Sequence, residues 1–408
     1  MGNKKYFFVI LILGSLTALA PFSIDMYLPG FTAIAKDLHS PTSKVSLTLT
    51  GFFIGICLGQ LLYGPLLDRF GRKPPLYIGL VVYILASIAC AFAHNINNLI
   101  VLRCIQAVGS CAATVTAVAL VRDLFPVEES AKVFALLILV LGASPLIAPT
   151  VGGYITSAFG WHYIFIILTV MAILLLAACI LWLPDVYVPN KSLSLKPLPI
   201  VKSFMEVFVE PQFYTYAFTS AIAFAGLFAY VSGSPLIFMN VFGLSAKVYG
   251  WVFAFLSIGF IGSSQLNNLL VRKFSSEQIV RIALIGYVIV GIAFFLVSKV
   301  GLINLPLTIV FLFLFLSAIG IASPNASSLC LAPFSKNAGT AASLMGAIQM
   351  GIGALVSAFV SLFNIPSTTP VAGAIAGSAV LALIILLVGK RTIAHNVEVQ
   401  KEVIGELH

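Results

Sequence analysis

Twelve apolar runs of 19 to 27 residues follow one another along this 408-residue chain, at 6–29, 44–66, 75–93, 98–121, 132–157, 162–183, 212–238, 247–270, 278–298, 304–330, 339–363 and 369–389. About 20 apolar residues is the length an α-helix needs to cross roughly 30 Å of hydrocarbon, where every backbone N–H and C=O must be satisfied within the segment. Barrel strands would instead be about 10 residues long and alternate in polarity. The runs therefore predict an all-α, polytopic membrane protein with twelve transmembrane helices. Only 9% of residues are charged, against about 25% in ordinary domains, too few to cover a water-facing surface. A water-soluble enzyme, a disordered chain and a disulfide scaffold are excluded on that ground.

The net charge of +9 invites a nucleic-acid reading until the basic residues are placed. Seventeen of the 22 Lys and Arg fall in alternate connections on one side, against Lys36, Lys44, Lys247 and Lys299 on the other, and Arg103 alone lies within a run. This is the positive-inside pattern, with both termini in the cytoplasm. The partner it implies is a lipid bilayer, not nucleic acid. Lys4 and Lys5 ahead of Ala18-Leu19-Ala20 imitate a signal peptide, but the apolar run continues past the site and Pro21 stands where cleavage would occur. The six cysteines form no Cys-x-x-Cys pair and read as packing residues, with no metal site.

The longest polar connection, 185–211, separates a six-run half (1–184) from a second (212–391), and 392–408 reads as a polar cytoplasmic tail. Within the connection Ile200, Val201, Phe204, Met205 and Phe208 have helical spacing, the pattern of a helix along the membrane surface. Pro29 corresponds to Pro235, and Gln60-Leu61 to Gln265-Leu266, at an offset of 205 to 206 residues. Two pseudo-symmetric six-helix halves place a substrate site between them near mid-membrane.

Asp25 is the one acid clearly inside a run. An intramembrane charge is costly, so such groups face a cavity and work there. Counted from the same side of the membrane, Asp25 and Arg103 lie at depths matching to about 2 Å at 1.5 Å per residue. Two readings stay open: an ion pair that only fixes packing, and a titratable carboxylate tuned by a permanent cation. Burial and Arg103 pull its protonation in opposite directions.

The connection Gly64-Pro-Leu-Leu-Asp68-Arg69-Phe-Gly71-Arg72-Lys73 joins runs two and three. Gly64 allows close helix approach, Gly71 a tight turn, Asp68 can accept from open N–H groups at a helix start, and Arg72 can pair with Asp123. Run five holds Ser144-Pro145-x-x-Ala148-Pro149-x-x-Gly152-Gly153, where prolines bend the helix and small residues admit a close partner. In run seven Phe224, Phe228, Val231 and Pro235 share a face and suggest an aromatic wall. Gly51, Gly55 and Gly59, and separately Gly373 and Gly377, give small-residue faces that most often serve packing within the fold.

The 64–73 connection resembles the loop signature of the major facilitator superfamily. Arg103-x-x-Gln106-Ala107-x-Gly109 is similar to that family's buried-arginine element, and the run-five motif to the proline-glycine motif of its drug antiporters, with Ala148 in place of a glycine. Asp25-Met26-Tyr27-Leu28-Pro29, with Ser234-Pro235, Tyr249-Gly250 and Gln349-Met350, resembles the bicyclomycin and chloramphenicol resistance (Bcr/CflA) subfamily of drug:proton antiporters. Some multidrug relatives carry a second acid where this chain has Thr17.

The resemblance implies the major facilitator fold in a bacterial inner membrane. It implies a monomer that exports lipophilic small molecules, driven by the proton gradient and without a cofactor. Asp25 and Arg103 would couple protons, and Tyr27, Pro145, Phe228, Val231, Gln349 and Met350 would line the cavity. Gly64, Asp68, Arg69, Gly71, Arg72, Asp123, Pro149, Gly152 and Gly153 would form the conformational gate. A transporter of one metabolite or siderophore is the alternative. No His-x-x-x-His, Gly-x-Ser-x-Gly or phosphate-binding Gly-x-x-x-x-Gly-Lys-Ser/Thr element occurs, which argues against an enzyme or an ATP-driven pump. One acid and one arginine are too few for the polar rings of a channel.

Overall fold

The computed structural model describes residues 3–184, 187, 189, 196–334, 337–363, 367–393 and 397. Lys191, Lys336 and Lys401, and the tail beyond Val397, lie outside the described residues. The first six crossings are built from α1 (Asn3–Asp25) continued by α2 (Phe31–Asp37), then α3 (Thr42–Phe70), α4 (Lys73–Ala91), α5 (Ile96–Leu124), α6 (Val127–Phe159) and α7 (His162–Trp182). After α8 (Pro197–Phe208) in the connection come α9 (Pro211–Pro235), α10 (Ala246–Leu270), α11 (Ser276–Lys299), α12 (Leu305–Leu331), α13 (Ala338–Ser361) and α14 (Thr369–Gly389). Among the described residues, 12 helices are long and apolar enough to cross a membrane. Their outward faces carry large apolar side chains such as Leu85, Val170, Ile289 and Leu355, which water would reject and lipid accepts.

Local chemistry sets the boundaries. The Asn95 side chain accepts from Asn97 N–H (2.8 Å) and Asn98 N–H (3.1 Å) to start α5, and Asn304 accepts from Leu307 N–H (3.0 Å) to start α12. Gly71, at φ +87°, ends α3 in a conformation L side chains rarely adopt, as the tight-turn expectation required. Two crossings run longer than the hydropathy suggests. The first breaks at Leu28–Gly30, a single 3₁₀ turn around Pro29, and resumes to Asp37; the seventh passes Pro235 into a π-helical turn, Leu236–Val241. Proline denies an N–H to the helix ladder at both repeat-related positions. Asp25 therefore ends α1 at a break inside a 31-residue crossing, Phe7–Asp37, instead of standing near its exit.

The helices form two groups, α1–α7 and α9–α14, that meet along two seams, α3 against α13 and α6 against α10. We call the end bearing Gly71 and α8 the linker face and the opposite end the far face. Inside the first group α3 lies almost backbone to backbone on α5: a Cβ at Gly51 would stand 2.7 Å from Ile100 O, and one at Gly55 would collide with Cys104 O. Gly377 differs, having nothing within 4 Å. It borders an apolar cavity of about 700 Å³ with Phe295, Val356, Phe359, Gly373 and Leu381, on the flank of the second group. The packing role expected of the Gly373–Gly377 face is thus corrected at Gly377, which leaves space, while it holds at Gly373, where a Cβ would stand 3.3 Å from the Phe295 ring. Helix α8 exposes Leu198, Val201 and Met205 and rests on α9 and α13.

Candidate functional site

Asp25 is buried, 7% exposed, and among the described residues it has no hydrogen bond or ion pair. The 3₁₀ turn that follows it packs against α6, α9 and α10, so the carboxyl sits where the two groups meet. The hydroxyls of Tyr230 in α9 and Tyr249 in α10 lie within its electrostatic reach. Both tyrosines are essentially unexposed.

Arg103 is fully buried and is not paired with Asp25, which removes the first of the two readings, an ion pair that only fixes packing. One terminal nitrogen donates to Ser23 O (2.8 Å) and the other to Gln106 Oε1 (2.6 Å). Gln106 Nε2 donates to Ser87 Oγ (2.7 Å), Ser87 donates to Tyr83 O (2.7 Å), and the Tyr83 hydroxyl meets Ser23 Oγ (2.7 Å). Because Ser23 Oγ already donates to Leu19 O, Tyr83 is the donor, and the bonds close into a ring joining α1, α4 and α5. The guanidinium also lies over the rings of Phe52 (4.3 Å), Tyr27 (4.6 Å) and Phe165 (5.7 Å). Desolvated cation–π contacts contribute up to about 2 kcal/mol each, so carbonyl, amide and ring faces stand in for a counter-ion.

On the linker face Arg72 donates to Asp123 Oδ2 (2.6 Å) and to Asp68 Oδ1 (2.8 Å), joining the α3–α4 turn to the end of α5. Burial alone would lower the Arg72 pKa, but its hydrogen bonds to Asp123 and Asp68 outweigh burial and hold it above its ordinary value. Asp68 accepts from Arg72 and, among the described contacts, from no helix N-terminus, a second correction. At Gly64 an added Cβ would meet only Ser343 Oγ at 3.6 Å, so close approach does not require glycine there. Arg69 sits 5.8 Å from the Phe70 ring centroid. No periodicity or motif pointed to Tyr187 of the connection, whose ring lies 3.7 Å from the Arg72 guanidinium and whose hydroxyl donates to Asp68 O (3.4 Å).

The motif in α6 packs on two sides, Gly152 within the first group and Gly153 and Pro149 along the second seam. A Cβ at Gly152 would collide with Met26 O; one at Gly153 would stand 2.5 Å from Ala246 O; and Pro149 O faces Gly250, where a Cβ would approach to 2.6 Å. Ser257 Oγ donates to Pro145 O (3.4 Å) across the same seam. Of the expected cavity residues, Phe228 packs against Phe53 of the opposite group with the rings tilted (4.7 Å between centroids), Met350 packs on the first-group cluster around Phe52 and Ile56, and Val231 is buried in α9. Gln349 Nε2 donates to Ser220 Oγ (2.8 Å), within the second group. Tyr27 is fully buried, accepting from Thr48 Oγ1 (3.0 Å) inside the first group, and borders none of the described cavities. Sequence reasoning also missed the hydroxyl cluster bridging the first seam, where Thr50 and Ser232 both donate to Ser357 Oγ (2.9 and 2.8 Å) and Ser46 donates to Ser232 O (3.1 Å).

Known proteins share this architecture. The family model described as Major Facilitator Superfamily matches residues 13–358. The chain is 33% identical to a bicyclomycin resistance protein homolog of Haemophilus influenzae, over 90% of this chain and 92% of that protein. It is 28% identical to a chloramphenicol resistance protein of Pseudomonas aeruginosa, over 85% and 83% respectively. Among solved structures, a D-xylose-proton symporter superposes with a TM-score of 0.74 at 14% identity, covering 93% of this chain and 97% of that one, which speaks to the fold. With its motifs, its twelve crossings and these relatives in agreement, the chain belongs to the major facilitator superfamily, in the branch of the bicyclomycin and chloramphenicol resistance proteins.

Proposed function

We propose that this multi-pass membrane transporter exchanges protons for lipophilic small molecules, exporting them across a bacterial inner membrane with the linker face in the cytoplasm. The observation that carries the reading is Asp25: the one acid deep within a crossing, buried, unbonded, and placed between two helix groups that must move relative to each other. A carboxyl so placed holds a proton or frees it according to which face is open. With the linker face open, a substrate entering the seam displaces the proton to the cytoplasm; with the far face open, the proton returns as substrate leaves. Arg103 acts at one remove, holding Ser23, two residues from Asp25, by its carbonyl. The names of the resistance-protein relatives support a drug-like cargo, and the apolar Phe53–Phe228 and Met350 contacts at the seam suit one.

The test is proton release from purified protein in detergent on adding a panel of lipophilic antibiotics. Release from the native chain that vanishes in Asp25→Asn, with folding retained, is expected. Release that persists in Asp25→Asn would remove Asp25 from the coupling role. No release from the native chain with any compound would favour a narrow metabolite transporter.

A further inference from the structure

The cavity on the flank of the second group takes no part in the exchange cycle. Its volume is about 700 Å³, and a second hollow of about 410 Å³ shares Phe295, Gly373, Gly377 and Leu381 with it, so the two form one continuous slot along α11 and α14. On α14 the slot runs from Thr369, at the far face, to Ile384, a length of about 22 Å at 1.5 Å per residue. Phe359, Gly377 and Leu381 are exposed at its open side. Because α11, α13 and α14 are all membrane crossings, that side faces hydrocarbon.

The chemistry of the slot changes from one end to the other. Below the mouth Ser378 is the one polar side chain in the lining, and its hydroxyl donates to Ile375 O (2.9 Å) and meets the Tyr287 hydroxyl (2.6 Å). Nothing is left there to bind water, and an apolar cavity without polar partners stays dry. The far-face mouth is polar. Ser367 donates to Thr369 Oγ1 (3.1 Å), Ser298 Oγ lies 3.2 Å from the same atom and also meets Thr368, and Lys299, exposed, follows Ser298. A rim of hydroxyls and one cation thus stands over a long apolar slot. One leaflet contributes about 15 Å of a roughly 30 Å hydrocarbon core, so the slot has room for a whole acyl chain from the far leaflet. A compact molecule would leave much of that length empty.

We propose that this slot is a binding site for one phospholipid of the far leaflet, with an acyl chain laid along α14 and the phosphate held at Lys299 and the hydroxyl rim. The chain puts van der Waals contact where Phe295 and Gly377 border empty space. It also backs α13, whose Val356 and Phe359 line the slot while Ser357 joins the first seam. Neither Asp25 nor proton movement enters the proposal, which stands apart from the exchange reading.

The test is native mass spectrometry of the full chain, stripped of lipid in detergent and reloaded with phosphatidylglycerol. One lipid per chain is expected to remain at detergent concentrations that remove the others. Gly377→Phe sends a ring into the middle of the slot and is expected to lower retention about tenfold, the effect of losing about two methylenes from apolar contact; the methyl of Gly377→Ala is too small for that. Lys299→Gln, at an exposed position outside the packed core, is expected to lower retention about fivefold. Ile289→Phe, equally large and lipid-facing on α11 but outside the slot, is expected to hold lipid as the native chain does. Native retention in Gly377→Phe or in Lys299→Gln, an equal loss in Ile289→Phe, or no lipid held by the native chain overturns the proposal. Displacement of the lipid by equimolar lipophilic antibiotic overturns it in favour of cargo, and dimers in place of a lipid-bound monomer overturn it in favour of a second copy.

Discussion

The two helix groups share one plan and fill it differently. Asn95 and Asn304 cap α5 and α12, and eight residues beyond each cap stand a fully buried arginine, Arg103, in the first group and a fully buried leucine, Leu312, in the second. Tyr83 of α4 meets Ser23, while Tyr287 of α11 meets Ser378 (2.6 Å). On the linker face the first group ties α5 to the α3–α4 turn through Arg72 and Asp123, whereas the second ties α10 to α12 through Asn325 and Asn267 (2.7 Å). Since the second group folds on this plan with leucine and neutral amides, the fold does not require charge at these places. Buried charge is costly to keep, so on the proposed exchange reading the charges of the first group serve movement and coupling more than stability.

That contrast can be broken by transplanting the second group's solution into the first. Arg103→Leu leaves Gln106 Oε1 and Ser23 O without their donor, with an expected loss of about 2 to 4 kcal/mol in detergent unfolding. Adding Gln106→Leu is expected to recover part of the stability and none of the transport. Transport by the double variant would show that the charge serves packing alone. Next, Arg72→Leu is expected to cost about 1 to 3 kcal/mol, more than Asn325→Leu, and to slow transport; equal costs in thermal unfolding would erase the distinction. Tyr187→Ala, which uncovers Arg72, should lose about 0.5 to 1 kcal/mol and raise protease cleavage in the connection. Smallest is Gly377→Ala: with open space around that position, it should stabilise α14 by up to about 1 kcal/mol, seen as a slightly higher Tm with transport unchanged.

Most of the fold was legible because hydrocarbon imposes length and polarity on each crossing and leaves few ways to satisfy a backbone. The breaks at Pro29 and Pro235 were visible as prolines, but hydropathy averages over them, so the stretches to Asp37 and Val241 were missed. Within the site, counting residues gave the depth of Asp25 and Arg103 and nothing about their direction. At 3.6 residues per turn, Ser23 and Asp25 differ by about 200° around α1. Arg103 binds at Ser23, and the Asp25 side chain leaves α1 on another side. The Arg72–Asp123 pair was readable because a charged turn and a helix end share one face of the membrane. Tyr187 was not, since a lone aromatic in a polar connection carries no periodic signal.

The far-face contacts of α6 have a consequence for how such a chain diversifies. Gly153 touches Ala246 and Pro149 touches Gly250 across the seam, and behind them Gly152 touches Met26 of its own group, all largely through main-chain atoms, a surface with almost no side chains to vary. Mutation there has only coarse outcomes: any enlargement wedges the seam apart, and no graded adjustment is available. On the proposed exchange reading, graded changes in cargo range then belong elsewhere, at positions such as Phe53, Phe228 and Met350. The surface that closes and the surface that chooses are thereby kept apart.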